Sequence, residues 1–442
     1  MKNKEFFYLV AVLLNCIFAT SIQTQDFGPL VRLAWQNNDQ LKSKNFQLES
    51  AGHLLKEARS LYGPTVSFGT QYTLAAGGRS IQFPVGDLLN PVYSTLNQIT
   101  ASNAFPQIDN VNEQFLPDNF YDARFRISQP VYYPDLAINR QLKQEAIVLK
   151  QLELKAFKRQ ISKEVMHAYF QVESSKKAID IFRAADTLLR EASRTTQSLI
   201  RNGVALPSAL SRIETQMASI TAQQIDAASN HQNALRYYTY IVGSNETFAT
   251  LDLSDLPATE EVFGHQREEI DQINQGIKMQ NLAVQKENQF YLPKVGLQLD
   301  LGSQAFDFGF EPYAILGVNA EINLFDSNRH KFRKAAAKAD IMAAESQKEN
   351  VSEQIALQSA VARQNLISAI DQAKTFQPRM AATDKIYKEV FQKYKEGTAN
   401  YLELLDAQTQ VTQLKIQYVL SQQNAWMKWA DYMYATAAFP IE

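Results

Sequence analysis

Leu199-Ile200-Arg201-Asn202-Gly203-Val204-Ala205-Leu206-Pro207-Ser208 closes a run, Asp135 to Asn202, of 68 residues without glycine or proline. As a single α-helix that run would extend about 100 Å. Gly203, free to take positive φ, ends the helix and turns the chain back. The same pattern returns 194 positions later in Lys393-Tyr394-Lys395-Glu396-Gly397-Thr398-Ala399-Asn400-Tyr401-Leu402, with Gly397 at the turn. A globular domain has little use for a helix that long. The wall of a rod or a tube does.

Composition narrows the setting. The 442 residues hold 44 Lys and Arg against 46 Asp and Glu, so there is no basic footprint for nucleic acid. Residues 1–25 read as a secretory signal: Met1-Lys2-Asn3-Lys4 is basic, Phe6 to Leu14 is apolar, and Ala19-Thr20-Ser21 sets cleavage near 21–25. The apolar run falls short of the ~20 residues that a membrane-spanning helix needs. Cys16, the only cysteine, lies within this signal. Asn15 stands where a lipoprotein cleavage box has a small residue, so the mature chain is expected to lack disulfides and thiolate metal sites. With no later stretch of transmembrane-helix length, any membrane crossing falls to strands.

Four segments, 64–76, 120–132, 293–302 and 312–325, carry the required alternation. Val66, Phe68, Tyr72 and Leu74 alternate with polar neighbours, as do Tyr121, Ala123, Phe125 and Ile127. Val295, Leu297, Leu299 and Leu301 continue the pattern, and Ala314, Leu316, Val318 and Ala320 complete it. Period two over roughly ten residues marks a transmembrane β-strand. A soluble sheet with one wet face gives the same alternation. The context favours membrane, because the strands form two pairs, each entered from a helix and left into a helix. Tyr62-Gly63-Pro64 and Tyr291-Leu292-Pro293 open the pairs alike, which points to internal duplication. Four strands cannot close a barrel and an open edge cannot face lipid, so the chain must oligomerise, and three copies would supply twelve strands. Residues 77–120 read as one long outward-facing loop and 302–312 as a short one.

The remaining segments divide the chain into two structural repeats. The first, 26–242, holds a helix, the first strand pair, the long helix 135–202 and a return helix 205–242. A mixed segment, 243–261, follows. The second repeat, 262–442, holds a helix, the second strand pair, the long helix 327–396 with a kink at Pro378, and a return helix 398–438. The fold class is therefore mixed α and transmembrane β: a trimeric twelve-stranded β-barrel, four strands per chain, continued by a long α-helical barrel.

The segment Tyr394-Lys395-Glu396-Gly397-Thr398-Ala399-Asn400-Tyr401-Leu402-Glu403-Leu404-Leu405-Asp406-Ala407-Gln408 resembles the TolC family of outer-membrane efflux proteins. Asn323-Leu324-Phe325-Asp326 and the hairpin entries echo the same family. The resemblance implies a homotrimer in the outer membrane of a Gram-negative bacterium, with most of the chain in the periplasm. It implies a passive exit duct docked to a periplasmic membrane-fusion adaptor and an inner-membrane transporter, exporting small molecules such as drugs. A type I protein secretion duct is the alternative, and an exported structural coiled-coil protein a more distant one. The resemblance also places adaptor-facing tips at Arg201, Gly203, Val204, Ala205, Leu206, Lys395, Gly397 and Thr398, and a periplasmic gate at Tyr394, Glu403 and Asp406. Two departures stand out: Ala399 replaces a residue often basic in the family, and Ser208 and Ala209 replace an acidic position of some members. As a plainer reading, the charges solvate a helix face and the glycines cap helices.

Nothing in the sequence points to an enzyme, a cofactor or a metal. His53, His167, His231, His265 and His330 are scattered, with no pair at metal-ligand spacing. Ser174-Ser175-Lys176-Lys177 contains a Ser-x-x-Lys pattern, but mid-helix and without its companion motifs.

Overall fold

A computed structural model describes residues 27–244, 253, 255–258, 264 and 266–439. The expected signal segment and most of 243–261 lie outside the described residues, as does His265. The elements in chain order are α1 (Gly28–Asn37), α2 (Asp39–Ser60), β1 (Thr65–Thr73), β2 (Ser80–Phe83), α3 (Val85–Thr100), β3 (Val111–Gln114) and β4 (Phe120–Tyr132). There follow α4 (Pro134–Arg201), α5 (Pro207–Val242), α6 (Glu268–Asn288), β5 (Lys294–Phe306), β6 (Pro312–Glu321), α7 (Arg329–Lys374), α8 (Phe376–Lys395) and α9 (Tyr401–Ala435). They fall into two compact units. Among the described residues, one gathers those of 27–51, 146–278 and 342–439; the other gathers 52–145 and 279–341.

The second unit is built on an antiparallel sheet in the order β1-β4-β5-β6. Its strand ends follow from pairing. β1 stops at Thr73 because the partner of Thr73 is Phe120, the first residue of β4. β6 stops at Glu321, short of the expected 325, because its partner there is Lys294, where β5 begins. β5 in turn runs past the expected 302 to Phe306, which pairs with Phe120. The segment expected as an open loop, 77–120, has structure of its own: β2 and β3 pair as a small second sheet, with α3 between them.

In the first unit the core surrounds Tyr169 and Phe170 of α4, both almost fully buried. Phe27 packs edge-on against both rings, at centroid distances of 5.8 and 5.6 Å, and Trp426 of α9 lies 5.6 Å from Phe170. Arg159 donates to both carboxylate oxygens of Glu268, at 3.0 and 2.5 Å, and to the Phe439 carbonyl at 3.2 Å.

Local chemistry explains the helix breaks. Asn38 is extended, ending α1, and its Oδ1 accepts from the Leu41 amide at 2.9 Å to cap α2. The long second-half helix, expected as one helix over 327–396 with a kink at Pro378, divides at Thr375 into α7 and α8. Pro378 lies four residues beyond Lys374, the last residue of α7. A proline has no N–H for the carbonyl four residues back, and its ring clashes with that carbonyl, so the break falls upstream of the proline itself. Ser327 and Asn328, expected as the first residues of that helix, take left-handed φ of 58° and 62°, and α7 begins at Arg329. α5 begins at Pro207 behind an extended Leu206, as expected for a residue preceding proline.

Candidate functional site

The two glycine turns share one hydrogen-bond pattern. Gly203 has φ +72° and Gly397 φ +75°. The amide of Gly203 donates to Ile200, and those of Val204 and Ala205 both donate to the Leu199 carbonyl. At the second turn Gly397 donates to Tyr394, and Thr398 and Ala399 both donate to Lys393. The last carbonyls of α4 and α8 are thus satisfied by a reversing chain, which only a residue tolerant of positive φ permits cheaply. The turns lie together: a Cβ on Gly397 would stand 3.1 Å from Val204 Cγ1. Val204 and Leu206 are exposed apolar residues here, at 58% and 72%. Arg201, Lys395 and Thr398 are also exposed, and Ala205 is half-buried.

Beneath the turns an apolar cluster of Ile213, Leu404, Tyr394, Ala407, Val411, Ala192 and Tyr387 joins α4, α5, α8 and α9. Tyr394 belongs to this cluster. It is only 3% exposed, and its hydroxyl shares a 2.6 Å hydrogen bond with Thr196 Oγ1 of α4. Burial, with the charge of Glu191 adding to it, pushes the Tyr387 phenol up to about 12. Lys395 reaches Glu191 across the turn at 3.2 Å and lies over the ring of Phe391. The three gate positions are therefore not alike. Tyr394 is inside the chain, while Glu403 and Asp406 are on exposed surface. Asn400 caps α9 through the Glu403 amide at 3.0 Å and donates to the Glu403 carboxylate at 2.9 Å. Asp406 accepts from Gln410 at 2.7 Å. Local capping accounts for Glu403 within one chain and leaves both carboxylates open to a neighbour.

Replacing Gly397 with valine should strain the left-handed backbone by roughly 1–2 kcal/mol, before any clash is counted. Gly203→Val bears the same backbone penalty, but its Cβ meets nothing within 4 Å. Thermal unfolding in detergent should therefore show Gly397→Val as the less stable of the two, and equal melting temperatures would contradict this.

The sheet is two-faced. On one side Phe68, Phe125, Leu297, Leu301, Leu316 and Val318 are exposed, Leu316 by 74%, and none of the described residues covers them. On the other, Arg126 grips Asp300 with two 2.8 Å hydrogen bonds. Arg124 pairs with Asp122 at 3.0 Å, and the Tyr313 hydroxyl donates to Asp122 at 2.8 Å. Period two placed these charges on one face in the sequence reading. The pairing of Arg126 with Asp300, 174 residues away on the neighbouring strand, came only with the register.

The other candidates are structural. Ser174 and Ser175 donate to the carbonyls of Gln171 and Val172, and Ser175 Oγ also lies 3.0 Å from His231 Nδ1. His330 stacks on Phe290 and pairs with Asp326 at 2.8 Å. Among the described residues, no cluster of His, Cys, Asp or Glu could hold a metal, and no helix is long and apolar enough to cross a membrane.

The fold built from these paired hairpins and very long helices has counterparts among solved outer-membrane channels. Residues 266–430 match the family model described as Outer membrane efflux protein. The fold is similar to that of the outer-membrane channel OprN, at 17% identity and a TM-score of 0.71, covering 93% of this chain and 89% of that one. It is similar also to the Campylobacter jejuni CmeC outer membrane channel, at 15% identity and a TM-score of 0.70, covering 93% and 85%. A third likeness is to the outer membrane protein VceC of Vibrio cholerae, at 14% identity and a TM-score of 0.68, covering 93% and 96%. No curated protein matches the chain by sequence.

Proposed function

We propose that three copies of this chain form an outer-membrane efflux duct. One observation carries the reading. The sheet has two free edges, β1 and β6, and an exposed apolar face, neither of which can be left as it is in lipid or in water. Joining β1 of one copy to β6 of the next closes twelve strands, turns the apolar face to lipid and turns the Arg126–Asp300 side to the lumen. The helices would extend the duct into the periplasm, where an adaptor meets the tips around Val204, Leu206, Lys395 and Gly397 and a transporter delivers small molecules. Light scattering of the detergent-solubilised protein should give three times the chain mass. A folded, detergent-bound monomer would refute the reading, and so would a strain lacking this chain that keeps its full tolerance to toxic compounds.

At the entrance, Glu403 and Asp406 would bring six carboxylates around one axis, a ring that favours cations and repels anions. Tyr394 contributes from behind, holding α8 to α4 through Thr196. In planar-bilayer recordings, Glu403→Gln combined with Asp406→Asn should lower cation selectivity and weaken block by divalent ions. The cap of α9 should survive, because Asn400 still accepts from the residue 403 amide. Selectivity that does not change would move the constriction elsewhere in the tunnel.

A further inference from the structure

The connection between β1 and β4 contains a helix whose polarity is reversed. On α3, Asp87, Asn90, Ser94 and Asn97 share one face, and that face is fastened to the segment 105–110 of the same chain. Asn90 exchanges two hydrogen bonds with the backbone of Ile108, at 2.8 and 2.9 Å. Asn97 does the same with Phe105, at 2.7 and 3.0 Å. Asn110 donates to Asp87 at 2.9 Å, and Gln107 to Ser94 at 3.1 Å. Gly86 permits the approach, since a Cβ there would fall 2.3 Å from the Ile108 carbonyl. The opposite face, at spacings of four and seven, is Leu88, Val92, Thr95 and Ile99. Leu88 is 68% exposed and Ile99 76%. The chain has used the polar face internally and left the apolar one bare, the inverse of an ordinary surface helix.

The position of this element indicates what covers it. The connection is tied to the turn of the other hairpin: the Asp307 amide donates to the Asn119 carbonyl at 2.9 Å, and Tyr72 stacks on Phe308. It therefore rises from the Thr73–Phe120 end of the sheet, the end away from where α2 enters β1 and β4 leads into α4, and it leaves from β1, an edge strand. Its charge argues against a membrane surface. Residues 77–119 contain Arg79 against Asp87, Asp109, Glu113 and Asp118, and α3 has no basic residue, whereas helices that lie on anionic lipid are rich in Lys and Arg. A second copy of the same chain has the complementary apolar surface, and closing the sheet edge brings that copy alongside.

We propose that in the assembled protein the Leu88–Val92–Ile99 stripes of neighbouring copies pack on one another, lacing the outer ends of the strands into an apolar collar. This rests on the trimer reading above. In a Cys16→Ser background, full-length Leu88→Cys, Val92→Cys and Ile99→Cys proteins in outer-membrane fragments should be joined into dimers and trimers by a short bifunctional maleimide. Gln107→Cys, on the strapped side, should not. The collar is overturned if light scattering shows a trimer while the stripe cysteines stay unlinked and Ile99→Cys reacts with a bulky water-soluble maleimide as fast as Gln107→Cys. It is overturned equally if a bimane label at Ile99→Cys is quenched by brominated lipid, which would make the bilayer the occupant. Absence of a trimer would remove both readings together, so the two failures are distinguishable.

Discussion

Arg159→Ala should destabilise the helical unit by about 3–5 kcal/mol, because it leaves Glu268 charged and buried without its partner. The two side chains are 3% and 7% exposed, and Arg159 also satisfies the Phe439 carbonyl. Burial alone would push the Glu268 carboxyl up. The Arg159 hydrogen bonds and charge, with help from the Glu268 backbone amide and Arg267, outweigh it, and the net position lies below the usual carboxylate range. A carboxyl depressed in the folded state contributes stability that is present above its unfolded pKa and lost as pH falls through the folded one. Wild-type protein should therefore lose stability on acidification below the ordinary carboxylate range, and Glu268→Gln should flatten that dependence. Chemical unfolding in detergent, followed by circular dichroism at several pH values, measures both effects. A change under 1 kcal/mol for Arg159→Ala would mean that water reaches the pair.

Phe170→Ala should cost a similar amount, about 3–5 kcal/mol, by opening a cavity that its neighbours cannot fill. Its ring meets Phe27, Tyr169 and Trp426 within 6.0 Å, each from a different direction. Rigid aromatic neighbours collapse poorly into a void, so the upper part of the range is expected. Phe170→Leu should recover much of the loss. The same unfolding experiment reads both variants, and a small loss for alanine would show that the helices shift to close the gap.

Much of this architecture was legible because its signals are local. A glycine between two polar helices dictates a reversal through its own φ, and Gly203 and Gly397 both reverse the chain. Strand alternation is equally local, and all four long strands fall where period two placed them. The departures have local causes that act at a distance of a few residues. Pro378 was read as a kink at its own position, yet the break falls at Thr375, where the carbonyl contact four residues back is lost. Strand ends moved because a ladder stops where its partner stops, and the partner's limits are not written in the strand itself.

The connection 77–120 was read as a loop because it is rich in Gly, Asn, Pro and Ser. In the fold the asparagines fasten α3 to 105–110, so residues that would break a lone helix stabilise this one. Tyr394 carried a family motif, and its burial against Thr196, 198 residues away in sequence, could not be anticipated from the motif.

The sequence by itself therefore determined the twin helical hairpins and the two strand pairs, since φ preference and period-two patterning belong to each segment alone. Tertiary structure alone decided the pairing of Arg126 with Asp300 and of Arg159 with Glu268, and the outward turn of Leu88, Val92 and Ile99. Each of these depends on which distant backbone comes within hydrogen-bonding or packing distance, and on which polar groups that backbone leaves to be satisfied.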